Sequence, residues 1–337
     1  MDPVSALKRV AYLLEREQAE ARRATAFRKA AARLAGLEPA ELERRLAAGT
    51  LTELRDVGTR TAAVAQEAAG GVVPGYLAEL ESRAGTPLAE GGQEVRGWLR
   101  GDLHAHSEWS DGGTPIVDMA RAAIDLGHEY LALTDHSPRL TVARGLSPER
   151  LREQLDVVAR LNEELAPFRI LTGIEVDILE DGGLDQEPEL LARLDVVVAS
   201  VHSKLRMDRT AMTRRMVAAV EHPLVDVLGH CTGRLVTGGR GTRPESDFDA
   251  EAVFGACLDN DVAVELNSRP ERLDPPTRLL DLVGELGCRV AIDTDAHAPG
   301  QLEFLDHGCA RAAQAGVARD RVVNALPLAE LLAWTSR

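Results

Sequence analysis

Residues 195–202 read DVVVASVH. A nearly unbroken apolar run rich in valine marks a strand buried on both faces, since a strand with one wet face would alternate. The histidine at its end is not a residue that such packing requires. The same unit recurs along the chain. The apolar runs are GWLRGDL (97–103), YLALTD (130–135), RILTGIEV (169–176), VDVLGH (225–230), VAVELN (262–267) and RVAIDTD (289–295). Helix-like segments lie between them, at 114–126, 148–165, 210–221, 250–259 and 276–286. Strand and helix in alternation predict a parallel sheet with crossover helices. An open doubly wound sheet and a closed barrel both fit this pattern, and periodicity does not separate them.

Each run ends in residues that can bind a metal. These are His104 and His106, then Asp135 and His136, Glu175, His202, His230, Glu265 and Asn267, and last Asp293, Asp295 and His297. In parallel α/β folds the C-terminal strand ends share one face, so these positions are predicted to meet at one mouth. The i, i+2 spacing of His104/His106 and of Asp295/His297 points each pair to the same side of an extended segment. Six of the nine histidines fall at strand ends, whereas His128, His222 and His307 do not and read as structural or surface residues. A His-x-His pair alone is a weak metal signal, but a distributed set of imidazoles and carboxylates is a strong one. Without thiolates, the set suits zinc, manganese or iron. It is large enough for two or three ions.

Composition bounds the remaining possibilities. The 337 residues carry a net charge of −15, which argues against a general nucleic-acid coat protein. The charge is uneven: residues 1–85 hold 13 Lys and Arg against 12 Asp and Glu, the remainder 26 against 42. The acidic excess thus lies with the histidines. Aromatic residues make up only 3 %, so the core must be built from Leu, Val and Ala. No apolar run is long enough for a membrane span, and the first helix-like stretch is charged throughout, unlike a secretory leader. Cys231, Cys257, Cys288 and Cys309 are scattered and read as reduced thiols of a cytoplasmic protein.

Ahead of the first strand the pattern is helical. Apolar periodicity predicts helix over 5–35, PAELERRLAAG (39–49) predicts another, and residues 51–71 read as helix, glycine-containing turn and helix. The polar, glycine-rich stretch 84–97 reads as a linker. The expected organisation is a helical domain over 1–83, a linker over 84–97 and an α/β domain over 98–337.

The segments DLHAHSEWSDG, LTDHS, GIEVDI, SVHSKL, LGHCTGR and IDTDAH, in this order, resemble the polymerase-and-histidinol-phosphatase (PHP) superfamily. That resemblance implies a distorted, TIM-like (β/α)7 barrel over about 98–337 that hydrolyses phosphate esters with a hydroxide activated by three metal ions. Within the superfamily, SVHSKLRMD, VELNSRPERLD, IDTDAHAPGQLEFLDHG and the tail VVNALPLAELLAW resemble the C-terminal PHP domain of bacterial family X DNA polymerases. Residues 1–80 resemble the N-terminal helical domain of those polymerases, with a degenerate helix-hairpin-helix. Nothing between the two fits a polymerase palm, so polymerase activity is not expected.

Carried over position by position, the resemblance implies three metals. His104, His106, Glu175 and Asp295 hold the first, Glu175, His202 and His230 the second, and Asp111, His136 and His297 the third. Glu175, His136 and Lys204 are then the catalytic candidates. Lys204, Arg234, Asn267 and Arg269 are the candidates for binding substrate, with Arg272 a weaker one. The hairpin turn RDVGTRT departs from its pattern, because Asp56 stands where a phosphate would approach and only Gly58 is permissive. The basic residues Arg22, Arg23, Arg28, Lys29 and Arg33 either contact a phosphate backbone or form a solvated helix face. The implied substrate is a phosphorylated small molecule or nucleotide. Alternatives are a 3′–5′ exonuclease acting on DNA ends, a histidinol-phosphatase-like phosphomonoesterase, and a metal-stabilised interaction module without catalysis.

Overall fold

Asp2 accepts the backbone N–H of Ser5 at 2.8 Å, and Pro3 fills a first-turn position that needs no donor, so helix α1 spans Pro3–Arg16. The helix predicted over 5–35 breaks after it. Gln18 adopts φ 52°, a left-handed value that a helix interior excludes, and α2 restarts over Ala21–Ala35. α3 (Pro39–Ala48), α4 (Thr59–Ala69) and α5 (Gly75–Ala84) follow. Of the helix, turn and helix predicted over 51–71, the first helix is only a 3₁₀ turn, Leu51–Glu53, while the turn, with Asp56 at φ 66°, and the second helix, α4, are as expected. Leu7, Val10, Leu14, Phe27, Leu34, Val64 and Leu77 form the core of these helices.

Glu15 is buried in this helical unit, 3.0 Å from Nη1 of Arg28. Burial pushes its carboxyl up to about 7, against the pull of Arg28. The unfolded group loses its proton near pH 4.5 and the folded one near 7, so stability is full below the lower value and is lost as pH rises through that window. Glu15→Gln is expected to remove the loss. Calorimetry across pH should show a higher melting temperature for the variant at pH 8 and an unchanged one at pH 4.

This computed structural model describes residues 1–239 and 241–336 and divides into two units, 1–87 with 298–301 and 88–297 with 302–337. The second unit opens with α6 (Gln93–Arg96), so the end of the stretch predicted as linker is a helical turn. Gly97–Arg100, predicted to begin the first strand, turns off that helix instead, with the Trp98 amide bonded to the Val95 carbonyl. The elements then alternate. They are β1 (Gly101–Ala105), α7 (Ile116–Asp125), β2 (Tyr130–Leu133), α8 (Pro148–Glu164), β3 (Arg169–Asp177), α9 (Pro188–Leu191), β4 (Val196–Ser200) and α10 (Arg209–Val220). β5 (Val227–Leu228), α11 (Ala250–Asp259), β6 (Ala263–Asn267), α12 (Thr277–Leu286), β7 (Val290–Asp293), α13 (Leu305–Gln314) and α14 (Leu328–Thr335) complete the order.

All seven strands pair in parallel and in chain order. Ala105 bridges Ala296, and the His106 amide donates to the Ala296 carbonyl at 2.7 Å, so the first strand meets the end of the last. The open-sheet alternative is thereby removed. The unit is a nearly closed seven-stranded α/β barrel with surrounding helices.

Strand period places the functional side chains. Leu171, Val196, Val198, Val227, Ala263 and Ala291 fill the inside near the N-terminal strand ends. Val323, Leu331 and Trp334 of the C-terminal segment pack on them and seal that end. Two or four residues further along the same faces come Glu175, Ser200, Glu265 and Asp293. The alternate residues Ile174, Val197, Ala199, Leu228, Val264, Leu266 and Ile292 face the surrounding helices. Among the described residues no helix is long and apolar enough to cross a membrane.

Candidate metal centre

Glu175 is the hub. Its strand, β3, is the longest of the seven, and the carboxylate stands inside the barrel, 1 % exposed. Oε1 lies 2.8 Å from Nε2 of His230 and 3.1 Å from Nε2 of His202. Oε2 lies 2.8 Å from Nδ1 of His136, 3.4 Å from Nε2 of His104 and 3.6 Å from Nε2 of His106. Five imidazoles contributed by four strand ends thus surround one carboxylate.

Asp111 collects the other side. Its Oδ1 is 3.4 Å from Nε2 of His136 and 3.3 Å from Nε2 of His297. Gly112 makes this loop possible. Its N–H bonds the Ser107 carbonyl at 2.9 Å, and a Cβ there would fall 2.6 Å from that carbonyl oxygen. Asp295 brings Oδ1 to 3.3 Å from Nε2 of His106. The rings of His106 and His297 lie 4.2 Å apart and those of His106 and His136 4.4 Å apart. All nine residues carried over as ligands therefore meet in one mouth. Among the described residues three sets have ligand atoms close enough to share an ion: His106, Asp111, His136 and His297; His104, His106 and Glu175; and His136, Glu175 and His202.

The donor chemistry fits divalent cations. Nε2 of His104, both ring nitrogens of His106, both of His202 and Oε2 of Glu175 are buried without a hydrogen bond. Buried polar atoms are seldom left so, and a cation satisfies an imidazole lone pair where no proton donor is at hand. The charge pattern agrees. Burial alone would raise the Glu175 carboxyl, but His202, His104 and His136 hold it well below the usual range. Burial and the charges of His297 and His136 push His106 down to about 3. His136 rises to about 10 because Glu175 and Asp111 outweigh its burial. Protons alone thus divide neighbouring imidazoles into charged and neutral ones. The cluster has the residue types to hold divalent metals.

The other strand-end acids stand behind the ligands. Glu265 Oε1 is 2.5 Å from Nδ1 of His104, which leaves Nε2 of that ring directed at Glu175. Asp177 stands behind His202 more loosely, its Oδ1 3.4 Å from Nδ1 of that ring. Asp135 accepts from the Ser107 amide and hydroxyl, the Ser110 hydroxyl and the Gln154 amide, and so anchors the loop that carries Asp111. Asp293 accepts from the Leu103 amide at 2.8 Å and from Asn324 at 3.1 Å. The supporting roles of Glu265 and Asp177 were not read from sequence. Asp177 carries the signal of its i, i+2 spacing from Glu175 in β3, and Glu265 that of its place at the end of β6, where the sequence marks it as an acid able to bind a metal.

The residues predicted to contact substrate separate. Lys204 is exposed on the loop after β4, with φ 54°. Arg234 instead braces backbone, donating to the carbonyls of Arg272 at 3.0 Å and of Leu273, with Glu245 at 3.3 Å. Asn267 is buried and donates to Glu265 at 3.2 Å and to Asp295 Oδ2 at 3.3 Å. Arg269 donates to the Asp295 carbonyl at 2.7 Å and to Glu271 at 2.9 Å, and its Nη1 lies 3.1 Å from Nδ1 of His297. All three side chains thus bond to residues of the cluster or to the loops beside it. Only contacts between residues far apart in sequence reveal this.

The family model described as "PHP domain" matches residues 102–269. The chain is 38 % identical over 275 residues to "DNA polymerase/3'-5' exonuclease PolX" of Bacillus subtilis (strain 168), covering 77 % of this chain and 48 % of that protein. It thus spans about half the length of that relative. A "Probable phosphatase" of Shewanella amazonensis is 30 % identical over 241 residues, covering 68 % of this chain and 89 % of the relative. A solved histidinol phosphate phosphatase from Lactococcus lactis, complexed with zinc, L-histidinol and phosphate, aligns with a TM-score of 0.45 and 20 % identity, over 65 % of this chain and 95 % of that one. The PHP-domain model spans β1 to the loop after β6, the Shewanella relative is matched over most of its length, and on these two matches the chain belongs to the PHP family of metal-dependent phosphoesterases.

Proposed function

We propose that residues 98–337 hold two or three divalent ions, zinc, manganese or iron, and hydrolyse the phosphate ester of a small phosphorylated molecule or nucleotide. In this reading residues 84–97 join that domain to a helical domain over 1–83, and the protein works in the cytoplasm, where its four free, buried cysteines stay reduced. The carrying observation is the convergence of five imidazoles on Glu175 with buried nitrogens lacking hydrogen bonds. His104, His106, Glu175 and Asp295 are assigned to the first ion, Glu175, His202 and His230 to the second, and Asp111, His136 and His297 to the third.

Bound ions supply positive charge to the phosphoryl oxygens and acidify the attacking water. The chain itself does the rest. Glu175 keeps the imidazoles at fixed separations, and His136 spans from Glu175 to Asp111. Lys204 meets the incoming phosphate as an exposed ammonium; its left-handed backbone is the kind of local strain that gathers at functional sites. Asn267, Arg269 and Arg234 act by holding ligands and loops.

A second reading, processing of DNA 3′ ends, is favoured by the likeness to PolX across 77 % of the chain. Manganese-loaded protein should be assayed for phosphate release from nucleoside monophosphates and other monoesters, and for shortening of end-labelled single-stranded and gapped oligonucleotides. Phosphate release supports the first reading, and a shortening ladder transfers support to the second. Neither activity, with metal bound, overturns both. Lys204→Ala is expected to raise KM about tenfold, the worth of one charge-assisted hydrogen bond, with metal content unchanged. An unchanged KM removes Lys204 from substrate binding.

A further inference from the structure

A site made to bind cations contains a buried cation of its own. Arg272 follows β6 in a loop that returns beneath the ligands, and it is 6 % exposed. Its Nε lies 3.1 Å from Oδ2 of Asp295. Nη1 of the same guanidinium is buried without a hydrogen bond. The carboxylates of Asp295, Glu175, Asp274 and Glu265 all act on it. Burial and the charge of Arg272 together push the ring of His230 down. A guanidinium placed here repels any ion that the same acids attract, so fold stability alone does not explain its position.

The two oxygens of Asp295 are used differently. Oδ2 accepts from Arg272 and from the Asn267 amide at 3.3 Å, whereas Oδ1 faces His106 and His297, at 3.3 and 3.5 Å. Two donors on one oxygen leave the other as the only one open to a metal. The backbone of Arg272 is held separately, its amide by the Arg269 carbonyl and its carbonyl by Arg234, each at 3.0 Å. Replacing the side chain therefore leaves the loop anchored and leaves Asn267 orienting the carboxylate.

We propose that Arg272 is a positioning residue and a resident counter-charge: it makes Asp295 a one-oxygen ligand, balances that carboxylate in the metal-free protein, and so moderates the affinity of the ion that Asp295 binds. The inference rests on the assignment of Asp295 to the first metal. A fixed positive charge opposite the ligand oxygen weakens metal binding and also spares the cage an unpaired buried carboxylate when metal leaves. Both effects act in one direction. Without Arg272, metal binding must neutralise a stranded charge and becomes more favourable.

The test uses full-length protein stripped by chelation and titrated with Mn²⁺, free Mn²⁺ being read by electron paramagnetic resonance and melting temperature by scanning fluorimetry. Arg272→Met is expected to melt earlier than wild type without metal and to match it with Mn²⁺ bound, and the tightest Mn²⁺ site should gain about tenfold in affinity. Arg272→Lys keeps the charge and should bind Mn²⁺ within about threefold of wild type. Should the metal-free Met variant not fold, the pair Arg272→Met with Asp295→Asn, which leaves neither charge alone, is expected to restore folding. Equal loss of stability with and without Mn²⁺, or weaker Mn²⁺ binding in Arg272→Met, overturns the proposal, because a purely structural residue behaves in that way. A lysine variant that binds about tenfold more weakly also overturns it. No substrate enters these measurements, so a failure to find phosphoester hydrolysis leaves their outcome intact.

Discussion

Glu175→Gln is expected to reduce turnover by about a thousandfold or more, equivalent to about 4 kcal/mol of barrier, and to cost the protein more than one bound ion. The glutamine keeps the shape of the side chain and removes its charge. Five imidazoles then face a neutral amide whose N–H₂ group points a donor at nitrogens that need an acceptor or a metal. Both carboxylate oxygens are engaged, Oε1 with His202 and His230 and Oε2 with His104, His106 and His136, so one substitution reaches two ion positions at once. Elemental analysis of metal per chain, alongside kcat on whichever ester proves to be turned over, is the measurement. A variant with full metal content and near-normal kcat would remove Glu175 from the centre.

That substitution should also change the metal-free protein in a defined way. Burial disfavours a charge on His136, and Glu175 then Asp111 outweigh it and raise the ring to about 10. Its folded value lies above the ordinary 6.5, so the stability it contributes is full below pH 6.5 and is lost as pH rises toward 10. With Glu175 neutral, most of that stability at acidic pH disappears.

His136→Ala is expected to remove one ion and to lower kcat about a hundredfold, the cost of losing one charge-stabilising element of a metal site. His136 is the only one of the five imidazoles around Glu175 that also pairs with Asp111, by Nδ1 at 2.8 Å and by Nε2 at 3.4 Å respectively. Two of the candidate ion sets share it. The number of ions lost therefore reports where it binds. Loss of one ion with His202 and His230 still loaded supports its place with Asp111 and His297. Loss of two means that the ring bridges, and wild-type turnover ends the assignment of a third site.

Seven apolar runs and their terminal imidazoles and carboxylates could be read directly from the chain. Both are local properties: strand period and hydrophobicity are set by neighbours within a few residues, and a ligand at a strand end needs no partner to be noticed. All nine residues marked as ligands, from His104 to His297, lie in the one mouth that parallel strands require. The helical periodicity of 5–35 misled because its average outweighed a single residue, Gln18, whose left-handed φ divides the segment into α1 and α2.

Closure of the barrel could not be read in this way. Pairing of Ala105 with Ala296 joins residues 191 positions apart, and nothing in the period of either strand records it. The roles of the arginines were hidden for the same reason. Arg234, Arg269 and Arg272 are alike as residues after strand ends, yet one braces carbonyls, one backs His297 and one is buried against Asp295. A charge declares its sign in the sequence and its partner only in three dimensions. The amino-acid sequence by itself thus carried the apolar runs, the candidate ligands at their ends and the family resemblance. The tertiary structure alone decided that the sheet closes, that Glu265 and Asp177 stand behind His104 and His202, and which carbonyls, ring and carboxylate Arg234, Arg269 and Arg272 contact.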